Sequence, residues 1–279
     1  MKKRDWLYLS LISICMIVFF GYRLIDQLRT DTVPPEITIS TEELVLSVQD
    51  TKTTILQNVS ATDDHDGDVS DSLVVESIKL ANSDGSVTIT YAAFDKAGNV
   101  AKKVQKATYS DYQSPVFSLN APLAFPVNSG YDILDIIQAW DALDGNISHR
   151  IRASSLDNTS VATAGIHEVE FRVSNSLGDT VEMVFPVEVY ASDLYNATLS
   201  LTDYLVYLPY GTSFNAANYL DSFTYGASTT FLGNGIPDGY TLDLSGTVDT
   251  QVPGVYSVTY TLTSGAKNGY SKLIVVVEG

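Results

Sequence analysis

Cysteine occurs once in the 279 residues, at Cys15. No disulfide can therefore staple this chain, and neither a thiolate nucleophile nor a cysteine zinc centre fits in its body. Histidine is almost as scarce. His65, His149 and His167 are scattered, with no H-E-x-x-H and no cysteine partner. They read as exposed loop or strand residues; His65 alone stands where it could join an acidic loop as a transition-metal ligand. There is no G-x-S-x-G elbow and no glycine-rich phosphate loop. Glycoside hydrolysis needs paired carboxylates about 5–10 Å apart across a substrate cleft, which the loops of a small module rarely build. The expectation is a chain without catalytic residues.

Basic side chains are the third shortage. Lys and Arg number 16 against 33 Asp and Glu, a net charge of −17. Five basic residues (Lys2, Lys3, Arg4, Arg23, Arg29) but only two acidic ones (Asp5, Asp26) precede position 30. The remainder is therefore more acidic than the whole. Such a surface repels nucleic acid and anionic lipid, and it favours solubility, cations and a basic partner.

Long apolar runs are missing too, save one. Residues 6–22 carry no charge, follow Lys2-Lys3-Arg4, and place Trp6, Tyr8 and Tyr22 where interfacial aromatics belong. Leu24 and Ile25 extend the run if Arg23 snorkels. The reading is a cytoplasmic stub 1–5, a single-pass membrane helix 6–25, a polar linker 26–33, and all later residues outside the cell membrane. A cleaved signal would want a small-residue A-x-A site, and a lipoprotein a small residue where Ile14 precedes Cys15; neither is there. An outside location without disulfides points to a bacterial surface.

What the chain does have is repetition. Ala61–Ser70 and Ala139–Ser148 share A-x-D-x-x-D-G-(D/N)-(V/I)-S. A second landmark occurs three times: a glycine six residues before an aromatic, as Gly85…Tyr91, Gly165…Phe171 and Gly254…Tyr260. Apolar residues alternate around each copy (Val87, Ile89, Tyr91; Val169, Phe171, Val173; Val258, Tyr260, Leu262), the period of a half-buried strand. A glycine-bearing turn and another strand follow each time, so each repeat ends in a hairpin. A stretch at Ile133–Trp140 suits one helical turn or a strand equally. Short strands, frequent turns and a repeat of this period predict an all-β chain of tandem β-sandwiches at 34–111, 112–191 and 192–279. The third is the divergent copy, because it lacks D-x-x-D-G.

The repeated acidic motif, the G-x-x-x-(V/I)-x-(Y/F) strand and the Ala97-Gly98-Asn99 turn resemble a bacterial family of Ig-like modules named after a pesticidal crystal protein. The resemblance covers 34–111 and 112–191, and reaches 192–279 only through Pro253–Tyr260 and the final hairpin. It implies three tandem Ig-like β-sandwich domains behind one N-terminal transmembrane helix, used as spacers or binding modules and carrying no catalytic residues. Many such proteins end in a sorting motif; this sequence ends at Val277-Glu278-Gly279, which argues against wall attachment by that route.

Two candidate surfaces follow. Asp63, Asp66 and Asp68 with Asp95 and Asn99 place five oxygen-bearing side chains on loops at one end of the first module, a donor set suited to Ca2+. The other reading is that these residues only shape turns. The second copy offers Asp141, Asp144, Asn146, Asn175 and Asp179, with less charge. Ten of the 17 tyrosines lie in 192–279, as a binding tip for a glycan or cell-surface protein or as ordinary strand residues. Sequons stand at Asn58, Asn146, Asn158 and Asn196. The functional expectation is a non-catalytic structural or adhesive stalk at a bacterial cell surface; the alternative is a ligand-binding ectodomain of an envelope complex.

Overall fold

The computed structural model describes residues 11–23, 31–130, 132–155 and 163–279. Residues 11–23 are helical. The span expected at 6–25 runs beyond them at both ends into residues outside the described ones, as do the stub 1–5, most of the linker 26–33, and Asn158. Among the described residues, no helix is long and apolar enough to cross a membrane. The chain divides into two compact units, Met1–Asp111 and Tyr112–Gly279.

The first unit is a sandwich of seven strands: β1 (Glu36–Ile39), β2 (Glu43–Leu46), β3 (Val59–Asp63), β4 (Gly67–Asp68), β5 (Val74–Leu80), β6 (Ser86–Phe94) and β7 (Val100–Tyr109). One sheet runs β1-β3-β4 and the other β2-β7-β6-β5, with β2 parallel to β7. The alternation read from the sequence falls on the core: Val87, Ile89, Tyr91 and Ala93 are all buried. A buried phenol needs a partner. Tyr91 donates to Gln105 Oε1 at 2.7 Å, and Gln105 Nε2 donates to Thr41 O at 2.6 Å.

The same pairing plan occurs twice more in the second unit. The strands β8 (Val116–Leu119), β9 (Ala124–Pro126), β10 (Ile137–Asp141), β11 (Gly145–Asn146), β12 (Arg152–Ser155), β13 (Gly165–Ser174) and β14 (Thr180–Tyr190) repeat the first seven, with β9 parallel to β14. The segment that suited either helix or strand does both: Ile133–Asp135 is a 3-10 turn and Ile137–Asp141 is β10. A third set follows: β15 (Ala197–Leu201), β16 (Leu205–Leu208), β17 (Leu220–Tyr225), β18 (Ser228–Phe231), β19 (Thr241–Ser245), β20 (Gly254–Ser264) and β21 (Lys267–Val277). Here β16 runs parallel to β21, and β15 joins β21 as well, merging this set into a seven-stranded sheet. Gly269 permits that junction, since a Cβ there would sit 2.8 Å from the Phe223 ring. The missing D-x-x-D-G has a local cause. The β17–β18 hairpin closes through Gly226-Ala227 alone, with Tyr225 opposite Ser228, so no three-residue acidic loop is needed.

The boundary expected at 191/192 lies inside this second unit. Ser271–Val277 is buried at every position. Leu273 and Val275 pack with Leu208, Phe223 and Tyr260 on one face. Ile274 and Val276 pack with Leu205, Phe117 and Phe171 on the other. The uninterrupted run Leu-Ile-Val-Val-Val is thus a strand with two apolar faces, each serving a different core.

Tyr207 closes the same seam. Its hydroxyl accepts from Phe117 N at 3.1 Å and donates to Phe117 O at 3.2 Å, satisfying the free edge of β8. In the first unit the register-equivalent carbonyl, Ile37 O, takes its bond from Lys103 Nζ at 2.8 Å. The second copy has Met183 opposite Phe171 where the first has Lys103 opposite Tyr91, and Met183 Sδ lies 3.7 Å from the Tyr207 hydroxyl. Burial pushes the Tyr207 phenol up to about 12, so it stays protonated and can donate.

A buried polar cluster completes the seam. Tyr270 donates to Glu188 Oε2 at 2.5 Å, and Lys272, 1% exposed, holds Nζ 3.6 Å from the same oxygen. Burial lowers the Lys272 pKa against the pull of Glu188. The pair is an ion pair at a distance, without hydrogen-bond geometry.

Two predictions follow from the seam, each read by urea denaturation. Tyr207→Phe should cost about 1–3 kcal/mol by orphaning a buried N–H and C=O on β8. A cost near zero would show that the hydroxyl is dispensable. Lys272→Met should be neutral or stabilising, whereas Glu188→Ala should cost about 3–5 kcal/mol by removing the carboxylate that both Lys272 and the Tyr270 hydroxyl face. The reverse order would contradict the reading of this pair.

Candidate functional site

The β3–β4 loop is built by Asp63. Its Oδ1 accepts from His65 N and Asp66 N, both at 2.9 Å, which bends residues 64–66 into a tight turn. Gly67 takes φ 76°, the left-handed conformation the turn requires. The bend turns Asp66 toward the β6–β7 hairpin, where Asp66 Oδ2 accepts from Lys96 N at 2.8 Å and Oδ1 lies 3.3 Å from Lys96 Nζ. The two loops therefore meet at one end of the sandwich.

Of the five predicted residues, the structure brings Asp63 and Asp66 together, and their third partner is Asp31, which lies in the segment expected to be linker. One carboxylate oxygen from each of these three lies within 4.8 Å of the others. Asp68 and Asp95 fall outside this group. Asp68 accepts from Ser70 N at 2.9 Å. Asp95 accepts from Asn99 N at 2.7 Å and from Asn99 Nδ2 at 2.6 Å, closing the hairpin turn. Asn99 presents its nitrogen rather than its oxygen to the site, donating to Asp31 O at 3.1 Å and Val33 O at 3.3 Å. It fastens the entering chain instead of adding a ligand. The turn-shaping role and the clustering role thus fall on different residues of the predicted set.

Sequence reasoning missed Asp31 because it lies in the polar linker, outside the repeated acidic motif. His65 is exposed and outside the cluster, and His149 is exposed. His167 differs from the expectation: it is 4% exposed, and Nε2 donates to Thr163 O at 2.8 Å.

The second copy solves the same loop differently. Asp141 Oδ1 accepts from Leu143 N and Asp144 N at 2.9 Å, as Asp63 does, but Asp141 Oδ2 accepts from Asn175 Nδ2 at 3.1 Å. Asp144 accepts from Arg150 Nη1 at 2.5 Å and from both Ser176 N and Ser176 Oγ at 2.7 Å. Tyr112 donates to Asp179 at 2.6 Å. Each of these carboxylates is met by a donor of the protein itself. In the first copy, Asp63 Oδ2 and Asp31 Oδ2 are buried with no hydrogen-bond partner.

The tyrosines of 192–279 do not gather on one free face. Tyr260 is in the core and Tyr207 in the seam. Tyr195 stacks on Tyr270 at 4.8 Å, and Tyr190 meets Tyr195 edge-on at 5.0 Å. With Tyr204, Pro122 and Phe125 these rings line a groove of about 450 Å³.

No family model matches the chain. Over 154 residues, 55% of the chain, it is 36% identical to an uncharacterized 81.3 kDa protein of Acholeplasma phage L2, of which 18% is covered. Over 127 residues, 46% of the chain, it is 30% identical to pesticidal crystal protein Cry22Aa of Bacillus thuringiensis, of which 16% is covered. The chain spans less than a fifth of the length of either relative. Among solved structures it is similar to CBM51-2 in complex with GlcNAc and INT domains from Clostridium perfringens ZmpB, at 12% identity and TM-score 0.23, covering 88% of this chain and 42% of that one. It is also similar to mouse cadherin-23 EC22-24, at 14% identity and TM-score 0.22, covering 87% and 98%. Scores this low place no constraint on function.

The acidic end sets a pH dependence. Asp66 is held below its ordinary 3.8 chiefly by the Lys96 N–H, and Asp68 by the Ser70 hydroxyl and N–H. Burial works against ionisation of Asp95, but the Asn99 amide, the Asn99 N–H and the Gly98 N–H outweigh it and hold that pKa low too. Groups with lowered folded values contribute stability above the ordinary value and lose it as pH falls through the lowered ones. The urea midpoint of the first unit should be level above about pH 5 and decline below about pH 4, and Asp66→Asn should flatten the decline. A midpoint that stays unchanged as pH falls below about 4 would count against these bonds.

Proposed function

We propose that the chain is a membrane-anchored bacterial cell-surface protein acting as a non-catalytic structural or adhesive stalk. Its three repeats of one strand-pairing plan would be tandem Ig-like sandwiches of the family named after a pesticidal crystal protein, and the partial match to Cry22Aa supports that assignment. The anchor would be residues 6–25, with the N-terminus cytoplasmic and the acidic remainder outside. The observation that carries the stalk reading is the seam of the second unit. One strand, β21, serves two cores, so residues 112–279 bear load as one body rather than as beads on a flexible tether.

Protease treatment of intact bacterial cells expressing the full chain tests the placement. Degradation of residues 34–279 while the cells stay sealed, and release of the protein into the medium when a cleavage site is inserted after the anchor, are expected. A protein that is protected in intact cells and degraded only after lysis would contradict the surface reading.

A second reading, recognition of a glycan or protein, is favoured by the tyrosine-lined groove of residues 112–279. Stacked aromatic faces beside polar hydroxyls are suited to sugar rings, and about 450 Å³ falls in the range of small-ligand sites. A glycan array probed with the folded chain should show binding that Tyr195→Ala reduces. Binding indifferent to that substitution would place recognition elsewhere.

A further inference from the structure

We propose that Asp31, Asp63 and Asp66 form a site for a hard divalent cation of the calcium class, and that the ion fastens the chain entering the first unit onto its β3–β4 loop.

Three observations converge on it. The first is distance. Oxygens around a calcium ion lie about 2.3–2.6 Å from it, so two of them can stand no more than about 5 Å apart. One oxygen from each carboxylate meets that limit, all three lying within 4.8 Å of one another. The second is an unmet charge. Asp63 is 8% exposed, and its Oδ2 is shut off from solvent with no hydrogen-bond partner. Asp31 Oδ2 is equally buried and equally without a partner. A buried carboxylate oxygen with neither donor nor counter-charge is costly, and buried charges are paired or bind metal. Among the described residues, the ammonium that meets the cluster is that of Lys96, which pairs with Asp66 and whose side chain is 81% exposed. A mobile surface lysine is a weak counter-charge for three carboxylates.

The third observation is a control built into the chain. The second copy has the same loop, turned by the same two bonds to Asp141. There Asn175 meets Asp141 Oδ2, Arg150 and Ser176 meet Asp144, and Tyr112 meets Asp179. That copy needs no ion. The first copy has Asp95 in place of Asn175, Lys96 in place of Ser176 and Ser72 in place of Arg150, and gains a third carboxylate from Asp31.

The donor chemistry selects the ion. All three ligands are carboxylate oxygens, and no His or Cys belongs to the cluster, which disfavours zinc and copper. Three carboxylates with water completing the shell suit Ca2+ better than Mg2+, which demands a tighter octahedron. The location selects the consequence. Asp31 precedes β1, its Oδ1 already accepts from Val33 N at 2.9 Å, and Asn99 grips the Asp31 and Val33 carbonyls. An ion shared with Asp63 and Asp66 would lock residues 31–33 to the β3–β4 loop.

Calorimetric titration of the full chain with calcium chloride should give one site per chain. Asp31→Asn and Asp66→Asn should each weaken it at least tenfold, while Asp144→Asn leaves it unchanged and circular dichroism shows all three variants folded. Amide exchange at Val33 should slow about tenfold when calcium is raised to ten times its Kd. The proposal is overturned by absence of heat and of any thermal shift with millimolar calcium. It is equally overturned by binding that survives Asp31→Asn, by equal loss in Asp144→Asn, or by binding that leaves exchange at Val33 unaltered.

Discussion

β21 needs apolar partners on both sides, and the organisation of residues 112–279 depends on that requirement. A strand at the margin of an ordinary sandwich alternates, presenting one face to its core and the other to water. From Leu273 to Val277 this strand has no polar residue to turn outward. Ile274 and Val276 left exposed would cost on the order of 1.5–3 kcal/mol each relative to burial. They are instead received by the core that holds Phe117 and Phe171. Tyr207 then closes the edge of β8, and Lys272 and Tyr270 meet Glu188. The polar contacts of the seam fix how the two sets of strands are aligned, and the double-sided strand supplies the reason for them to associate.

The three copies show how one pairing plan tolerates different loop chemistry. At the hairpin between the third and fourth strands, the first copy gathers carboxylates and leaves two oxygens without donors. The second gathers carboxylates and satisfies each from Arg150, Asn175, Ser176 or Tyr112. The third dispenses with acids and turns through Gly226-Ala227. The strand that follows keeps its buried aromatic throughout: Tyr91, Phe171 and Tyr260 are each fully buried. Where that ring is a tyrosine it has an acceptor, Gln105 for Tyr91 and Ala216 O for Tyr260. The scaffold is set by strands, and whatever is specific to each copy resides in its loops.

Much of the strand plan could be read from the sequence, because period-two alternation and positive-φ glycines are local signals. The glycine-to-aromatic landmark marked β6, β13 and β20, and the acidic motif marked the hairpins at Asp63 and Asp141. Less legible were effects made by tertiary contact. Asp31 joins Asp63 only through folding, and it lies outside the acidic motif that marks the other carboxylates. His167 reads as an exposed strand residue until Thr163 O is brought against its ring. The merging of the last two strand sets was written in Leu273–Val277, but a continuous apolar run does not say what covers its second face. Asp68, Asp95 and Asn99 match a ligand pattern by spacing, yet the backbone N–H groups of Ser70 and Asn99 and the carbonyls of Asp31 and Val33 engage them first.

The most direct test of the account is the cooperativity of residues 112–279 within the intact chain. Trp140 lies in β10, so its fluorescence reports on the first set of strands of that unit, and amide exchange along Leu220–Tyr225 reports on the second. With β21 shared between two cores, urea should unfold both in one transition with the same midpoint, and Ile274→Ala should lower both together by about 2–5 kcal/mol. Two separated transitions, or a substitution that shifts only the exchange of Leu220–Tyr225, would contradict it.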